Sequence, residues 1–452
     1  MSETLFTGPA AAGPAAPPLA GIAHVLAYGQ SLSSGWEGWP ALSLTPRHDS
    51  LMFGDSVRPA SEYGPQWQPA GEPEFRPLAA TVQDVSSGRR LSAAEAAALA
   101  PGDPALGETV LEAAVNAWRD SLPSRPGFVP GMHRVLASSC GVGGRSLEAL
   151  SAGAEPELFN RLRDCVRAAR AHAGARGLGY GIAALLMLQG ENNAFSQHGA
   201  TDDAPTYKRL FRKLIADFQR EVVGGIAGQA MPAPVFTYQT GGDYSSDSNS
   251  IAQAQLELAL EPTGCTLVAP VYPVTSKGGH LDANGYRWLG AQFGKVMAHV
   301  LTQGRAWRPL YPRRITADGT RIDIDFHVPV PPLDWGRPVM GHKLVDIADA
   351  GFSVDDAAGP VETTDVAISG PTSVRIALAR PLGPGARLRY ADRTRHFGRG
   401  CLHDSDATVA ADHYIYDSAT GHYPSANIPE LRDRPYPLMN WCVAFNFPIR
   451  RA

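Results

Sequence analysis

The sequence predicts a three-layer α/β/α domain on a parallel sheet, followed by a β-sandwich domain. Three observations carry this prediction. Five apolar runs, at 23–28, 134–138, 182–188, 234–239 and 266–271, mostly lack polar alternation. Such runs suit parallel strands covered on both faces. Helical periodicities separate them, as a layered α/β domain requires. From about residue 305 the pattern changes to short alternating segments, which suits a sandwich.

The elements follow in chain order. Residues 1–20 are rich in Ala and Pro and read as a disordered tail. They lack the basic start and compact apolar region of a signal peptide. No apolar run is long enough to span a membrane, so a cytoplasmic location is expected. The layered domain is expected over 21–304. Within it, residues 55–131 look like a long insertion between the first two strands, with one helix over 108–118. Long irregular insertions often cover a binding site. Leu158, Leu162, Cys165, Val166 and Ala169 form one helical stripe. Tyr207, Leu210, Phe211, Leu214, Ile215, Phe218 and Val222 form a second, expected to end before Gly224-Gly225. A third helix begins after Asp282, which reads as its N-cap. In the region 305–452, Asp318-Gly319 is a hairpin signal, and Val374, Ile376 and Leu378 alternate with Arg375, Ala377 and Ala379.

The formal net charge is −4, and no Lys/Arg block is present. That argues against nucleic acid or an anionic membrane as partner. Five cysteines lie far apart without metal-ligand spacing, so buried thiols are expected rather than a disulfide framework. His396, His403, His413 and His422 also lack metal spacing. No cofactor is implied, and oligomeric state is not legible.

Four segments at strand ends could carry chemistry. Gly29-Gln30-Ser31 follows the first strand and offers a hydroxyl. Gly141-Val142-Gly143-Gly144-Arg145-Ser146 follows the second and offers backbone amides. Gln189-Gly190-Glu191-Asn192-Asn193 follows the third and offers an amide donor, and Gly278-Gly279-His280-Leu281-Asp282 lies just before the last helix with an imidazole. Alone, each reads as ordinary structure: a strand-end cap, a tight turn, an Asx turn, one histidine among thirteen. Together they are a nucleophile, oxyanion donors and a base, the parts of acyl transfer, at the sheet edge where α/β folds bind ligands. Ser31 is not in a G-x-S-x-G elbow, since Ser33 stands at the second Gly position. Gly141–Gly144 is likewise no dinucleotide fingerprint.

These four segments resemble the SGNH (GDSL-like) hydrolase superfamily, in particular the branch of sialate O-acetylesterases and acetylxylan esterases. The resemblance implies an SGNH-hydrolase-like domain over 21–304 with Ser31 as nucleophile and His280 as base. It also implies an oxyanion hole from the amides of Ser31 and Gly144 and the side chain of Asn192. The activity implied is that of a serine esterase that removes short acyl groups, acetyl foremost, from a carbohydrate through a Ser-His acyl-enzyme mechanism. The chain departs from the branch at Leu32, commonly Asn, and at Lys277, where an Asp usually orients the histidine. Glu191 is therefore the first expected substitute; an acid of the loop 243–247 or a backbone carbonyl are the others. Two alternatives stay open: an esterase for lipids, polyesters or small non-sugar esters, and a carbohydrate-binding protein with a decayed site.

Overall fold

In the computed structural model, which describes residues 21–100 and 102–451, a seven-stranded sheet organises the first two thirds of the chain. Its elements are β1 (Ile22–Gly29), α1 (Ser31–Ser34), β2 (Leu51–Phe53), β3 (Phe75–Pro77), α2 (Val110–Ser121), β4 (Arg134–Ser139) and α3 (Asn160–Gly174). They continue with β5 (Tyr180–Leu188), α4 (Glu191–Ala194), α5 (Ala204–Asp217), β6 (Val235–Gln239), α6 (Ser250–Leu260), β7 (Cys265–Pro270) and α7 (Ala283–Met297). The strand order is β3-β2-β4-β1-β5-β6-β7. All pairings are parallel except that of the edge strand β3 with β2. The expectation for residues 1–20 lies outside the described residues.

The apolar runs are continuous because each strand faces two cores. Val25 and Ala27 of β1 join Leu111, Val115, Leu289 and Phe293 of α2 and α7 on one side. Leu26 and Tyr28 join Leu162, Val166, Tyr207 and Phe211 of α3 and α5 on the other. Burying a side chain of this size contributes about 1.5–3 kcal/mol, so both faces are needed to hold the sheet. The helices start where capping residues allow. Thr109 and Glu112 form a reciprocal box at α2, and Asp282 accepts from the Gly285 amide at 2.7 Å as the N-cap of α7.

One helix end differs from expectation. After α5 the chain does not stop before Gly224-Gly225 but runs on as a π-helical turn over Phe218–Ile226. The stripe Phe218, Val222 and Val223 stays buried there, and that burial outweighs the poor helix propensity of the two glycines. The insertion is also more integral than its composition suggests, since it supplies β3 and α2.

The two largest sheets of the C-terminal region have five and four strands. The strands are β8 (Tyr311–Asp318), β9 (Arg321–His327), β10 (Phe352–Asp356), β11 (Gly359–Val361), β12 (Thr363–Gly370), β13 (Ser373–Leu378), β14 (Arg387–Tyr390), β15 (Phe445–Pro448) and β16 (Arg450–Arg451). One sheet runs β12-β13-β9-β8-β16 and the other β11-β10-β14-β15. Ile322, Ile324, Val374 and Ile376 meet Val354, Leu388 and Phe445 in a shared core. The turn between β8 and β9 passes through Gly319 at φ 59°. All five cysteines are buried and free. Among the described residues no helix is long and apolar enough to cross a membrane.

Candidate active site

The site begins where β1 leaves the sheet. Gly29 has φ 146°, and a Cβ there would lie 1.9 Å from the Leu188 carbonyl oxygen. Only glycine lets β1 and β5 stay this close as the chain turns. The Gln30 amide then donates to that carbonyl at 2.9 Å, and α1 starts at Ser31. Buried polar groups hold this short helix. Ser33 Oγ donates to the Gln30 carbonyl at 2.6 Å, and Ser139 Oγ to the Ser33 carbonyl at 2.8 Å. Neither the Ser31 amide nor its hydroxyl has a hydrogen-bond partner among the described residues. A free first-turn amide is what a helix start leaves available to an anion.

The turn after β4 supplies the next donor. The Gly143 amide is taken by Glu62 Oε1 at 2.7 Å, and Trp36 Nε1 donates to the same oxygen at 3.2 Å. The following amide, of Gly144, has no hydrogen-bond partner among the described residues, and Gly144 itself adopts a left-handed φ of 66°. The buried Arg161 guanidinium braces the turn, donating to the carbonyls of Gly141, Gly64 at 2.9 Å, Ser61 at 2.7 Å and Glu62 at 2.8 Å. The insertion is thereby tied to the glycine turn. Burial pushes the Glu62 carboxyl up, with the Arg161 charge opposing it.

The segment after β5 is locked by amides. Tyr207 Oη donates to Gln189 Oε1 at 2.9 Å, Gln189 Nε2 to Asn193 Oδ1 at 2.6 Å, and Gln255 Nε2 to the Gln189 carbonyl at 2.9 Å. The Asn192 amide is held by Gln30 Oε1 at 3.2 Å. The Asn192 side chain is buried, and its Nδ2 has no acceptor among the described residues.

The imidazole sits on a turn before α7. His280 Nδ1 lies 3.4 Å from Glu37 Oε2, with the two side chains 25% and 19% exposed. Its ring stacks on Trp36, with centroids 5.9 Å apart and planes at 28°. This corrects the expectation for Glu191. That carboxylate is buried and accepts from Tyr238 Oη instead, and burial pushes its pKa up. The carboxylate in contact with His280 is Glu37, six residues after Ser31. The loop acids are also engaged elsewhere: Asp243 faces Arg399 at 3.3 Å, and Asp247 accepts from Thr394 Oγ1 at 2.5 Å.

Ser31, Gly144, Asn192, Glu191 and His280 all line one cavity of about 280 Å³. No direct hydrogen bond joins Ser31 Oγ to the His280 ring; the two groups share the cavity. Catalytic hydrogen bonds are often long without substrate and tighten when it binds. Gln30, Trp36, Tyr63, Gln197 and Tyr244 complete much of the wall. Sequence reading missed Glu37, Trp36, Glu62 and Tyr63. The available signal was Gly35-Trp36-Glu37-Gly38, a Gly-flanked acid beside the nucleophile in a chain whose usual acid position holds Lys277.

Residues 133–299 match the family model for carbohydrate esterases described as sialic acid-specific acetylesterase. The matched stretch includes Gly144, Asn192 and His280 and leaves out Ser31 and Glu37. The fold is similar to that of a carbohydrate acetylesterase from Xanthomonas citri, with TM-score 0.52 and 14% identity over 94% of this chain and 80% of that one. An aryl esterase of M. smegmatis is similar over 62% of this chain and 99% of its own, at 13% identity and TM-score 0.31. A carbohydrate acetylesterase family member from Sinorhizobium meliloti is similar over 62% and 99%, at 15% identity and TM-score 0.29. No curated protein matches this chain.

Proposed function

We infer that this chain is a carboxylic ester hydrolase similar to the sialic acid-specific acetylesterases and that it removes short acyl groups, acetyl foremost, from a carbohydrate. Ser31 is the nucleophile and His280 the base. His280 takes the Ser31 proton as Oγ attacks the ester carbonyl. The oxyanion is received by the amides of Ser31 and Gly144 and by Asn192 Nδ2. The tetrahedral intermediate expels the sugar hydroxyl, which takes its proton from the imidazolium. Water, deprotonated by the same imidazole, then releases the acid and restores Ser31. Glu37 orients the ring through Nδ1 and steadies its protonated form.

The single observation that carries this reading is convergence. Three donors without acceptors among the described residues and an imidazole beside a carboxylate share one cavity with the Ser31 hydroxyl. Such unspent, fixed donors are what acyl-transfer sites hold for a developing charge. The composition of the wall supports a sugar: the aromatic residues Trp36, Tyr63 and Tyr244 and the amide residues Gln30 and Gln197 line it. The modest volume favours a short acyl group over a lipid chain. A decayed site is disfavoured by Glu37, which supplies the carboxylate that Lys277 removes.

Ser31→Ala is expected to abolish p-nitrophenyl acetate hydrolysis and labelling by a fluorophosphonate probe while thermal unfolding is unchanged. Retained hydrolysis overturns the assignment. Activity that rises with acyl chain length would replace the short-acyl reading with a lipid-type one.

A further inference from the structure

Lys277 occupies the position from which related hydrolases orient the base, yet its side chain points away from that task. Its Nζ donates to the Trp39 carbonyl at 2.8 Å and lies 3.3 Å from the centroid of the Trp39 ring. The Tyr423 ring, from the C-terminal region, closes the other side at 4.5 Å. Trp39 and Tyr423 themselves meet edge to face at 5.7 Å. The ammonium thus sits in a two-ring cage, and a partly desolvated cation over an indole is the favourable case of this interaction. An aspartate in the same place would face two π clouds and a carbonyl oxygen, all negative.

The cage matters because of what its two sides carry. The Lys277 amide donates to the His280 carbonyl at 2.8 Å, closing a tight turn through Gly278 and Gly279 with the imidazole at its end. Trp39 lies two residues after Glu37. One side chain therefore bridges the base's turn and the carboxylate's loop. We propose that Lys277 is a positioning residue: its ammonium, seated between Trp39 and Tyr423, holds the His280 turn where Glu37 reaches Nδ1, so that the orienting carboxylate works from the loop after the nucleophile. This rests on the esterase reading above and deepens it.

The turn has other tethers. The Ser276 amide donates to the Gly341 carbonyl at 3.1 Å, and Asp282 pairs with His342 at 2.9 Å. Loss of the ammonium thus loosens the turn rather than unfolding the protein. Burial pushes the Lys277 pKa down to about 8, opposed by Asp282 and Glu37. The other titratable groups around it are His280, His422 and Tyr423, the last a phenol pushed up to about 12 and so neutral here. Above about pH 8 the cage should therefore lose its cation and the rate should fall.

The test is a kinetic cycle on p-nitrophenyl acetate with the full chain: wild type, K277M, E37Q, the double variant and K277R. Misplacing a positioned group can cost about 10²-fold, so K277M should lower kcat by about 10- to 10²-fold with KM nearly unchanged. In the E37Q background the same change should cost under about threefold, since both act on one contact. K277R keeps a cation in the cage at all working pH; it should recover most of the rate and move the alkaline limb upward. Wild-type kcat in K277M, or an equal loss in both backgrounds, overturns the proposal. If K277M does not fold, Tyr423→Leu replaces it in the same cycle with the same criteria. Retained activity in Ser31→Ala would instead overturn the esterase reading, so the two failures are distinguishable.

Discussion

Replacing Glu37 by Gln removes one charge beside His280 and leaves a side chain of the same shape. In the proposed mechanism the imidazole is protonated in the transition state and neutral before it, so the lost attraction falls on the barrier. At the observed 3.4 Å, a unit pair is worth about 5 kcal/mol at an effective dielectric of 20 and about 1 kcal/mol in bulk water. Both side chains are about a quarter or less exposed, which places the pair between these limits. Since each 1.4 kcal/mol or so is tenfold, kcat should fall by roughly 10- to 10³-fold. That is less than the roughly 10⁴-fold loss when a fully buried triad aspartate is neutralised. Glu37→Ala, which also removes the acceptor for Nδ1–H, should be slower still. The assay is steady-state hydrolysis of p-nitrophenyl acetate at neutral pH, with the rate of fluorophosphonate labelling as a check on Ser31 alone. A Glu37→Gln enzyme within about twofold of wild type, beside an inactive Ser31→Ala, would refute Glu37 as the orienting acid.

Three further outcomes are expected. Asn192→Ala should lower kcat by about 10²–10³-fold with little change in KM, as loss of one oxyanion donor does; steady-state kinetics measures it, and an unchanged kcat removes Asn192 from the mechanism. Gly29→Ala forces a Cβ to 1.9 Å from the Leu188 oxygen, so denaturant unfolding should show a loss of at least about 3 kcal/mol; a smaller loss would mean that β1 and β5 can part freely. Burial, with Glu108 beside it, pushes the Glu112 carboxyl from 4.5 to about 7. The folded protein thus keeps a proton that the unfolded chain releases, and this contribution is present below about pH 4.5 and lost as pH rises through about 7. The stability of wild type relative to Glu112→Gln should decline across that window and level off above it. A flat difference in thermal unfolding would deny the shift.

Much of the layered fold was legible because burial on both faces leaves a plain mark: uninterrupted apolar strands, with alternate residues such as Val25 and Leu26 entering different cores. Strand ends also follow from local rules, which is why the four segments holding Ser31, Gly144, Asn192 and His280 could be named together, whereas the role of each residue came from the family resemblance. Contacts that depend on long separations left no such mark. Arg161 is an ordinary helical arginine in sequence, and only the folded chain shows it buried against four carbonyls of the insertion and the glycine turn. The π turn through Gly224-Gly225 was hidden for a related reason, since packing decided it against local propensity.

Glu37 was illegible for a more instructive reason. An imidazole needs only an acceptor in line with Nδ1–H, and nothing requires it to come from the imidazole's own loop. In the proposed mechanism a different scaffold delivers it. Glu37 adopts φ 58°, a left-handed conformation that costs a non-glycine residue on the order of 1 kcal/mol or more. The insertion holds it there: the Glu37 amide donates to the Ala105 carbonyl at 3.1 Å, Gly107 to Gly35 at 2.8 Å and Glu108 to Gly38 at 2.6 Å. Two glycines flank the acid because a Cβ at either would lie 2.4 Å from the Glu108 carbonyl oxygen. The insertion and the acid's new position thus form one device. Weakening the 105–108 contacts should slow the enzyme in the way that loss of Glu37 does, although none of those residues lines the cavity.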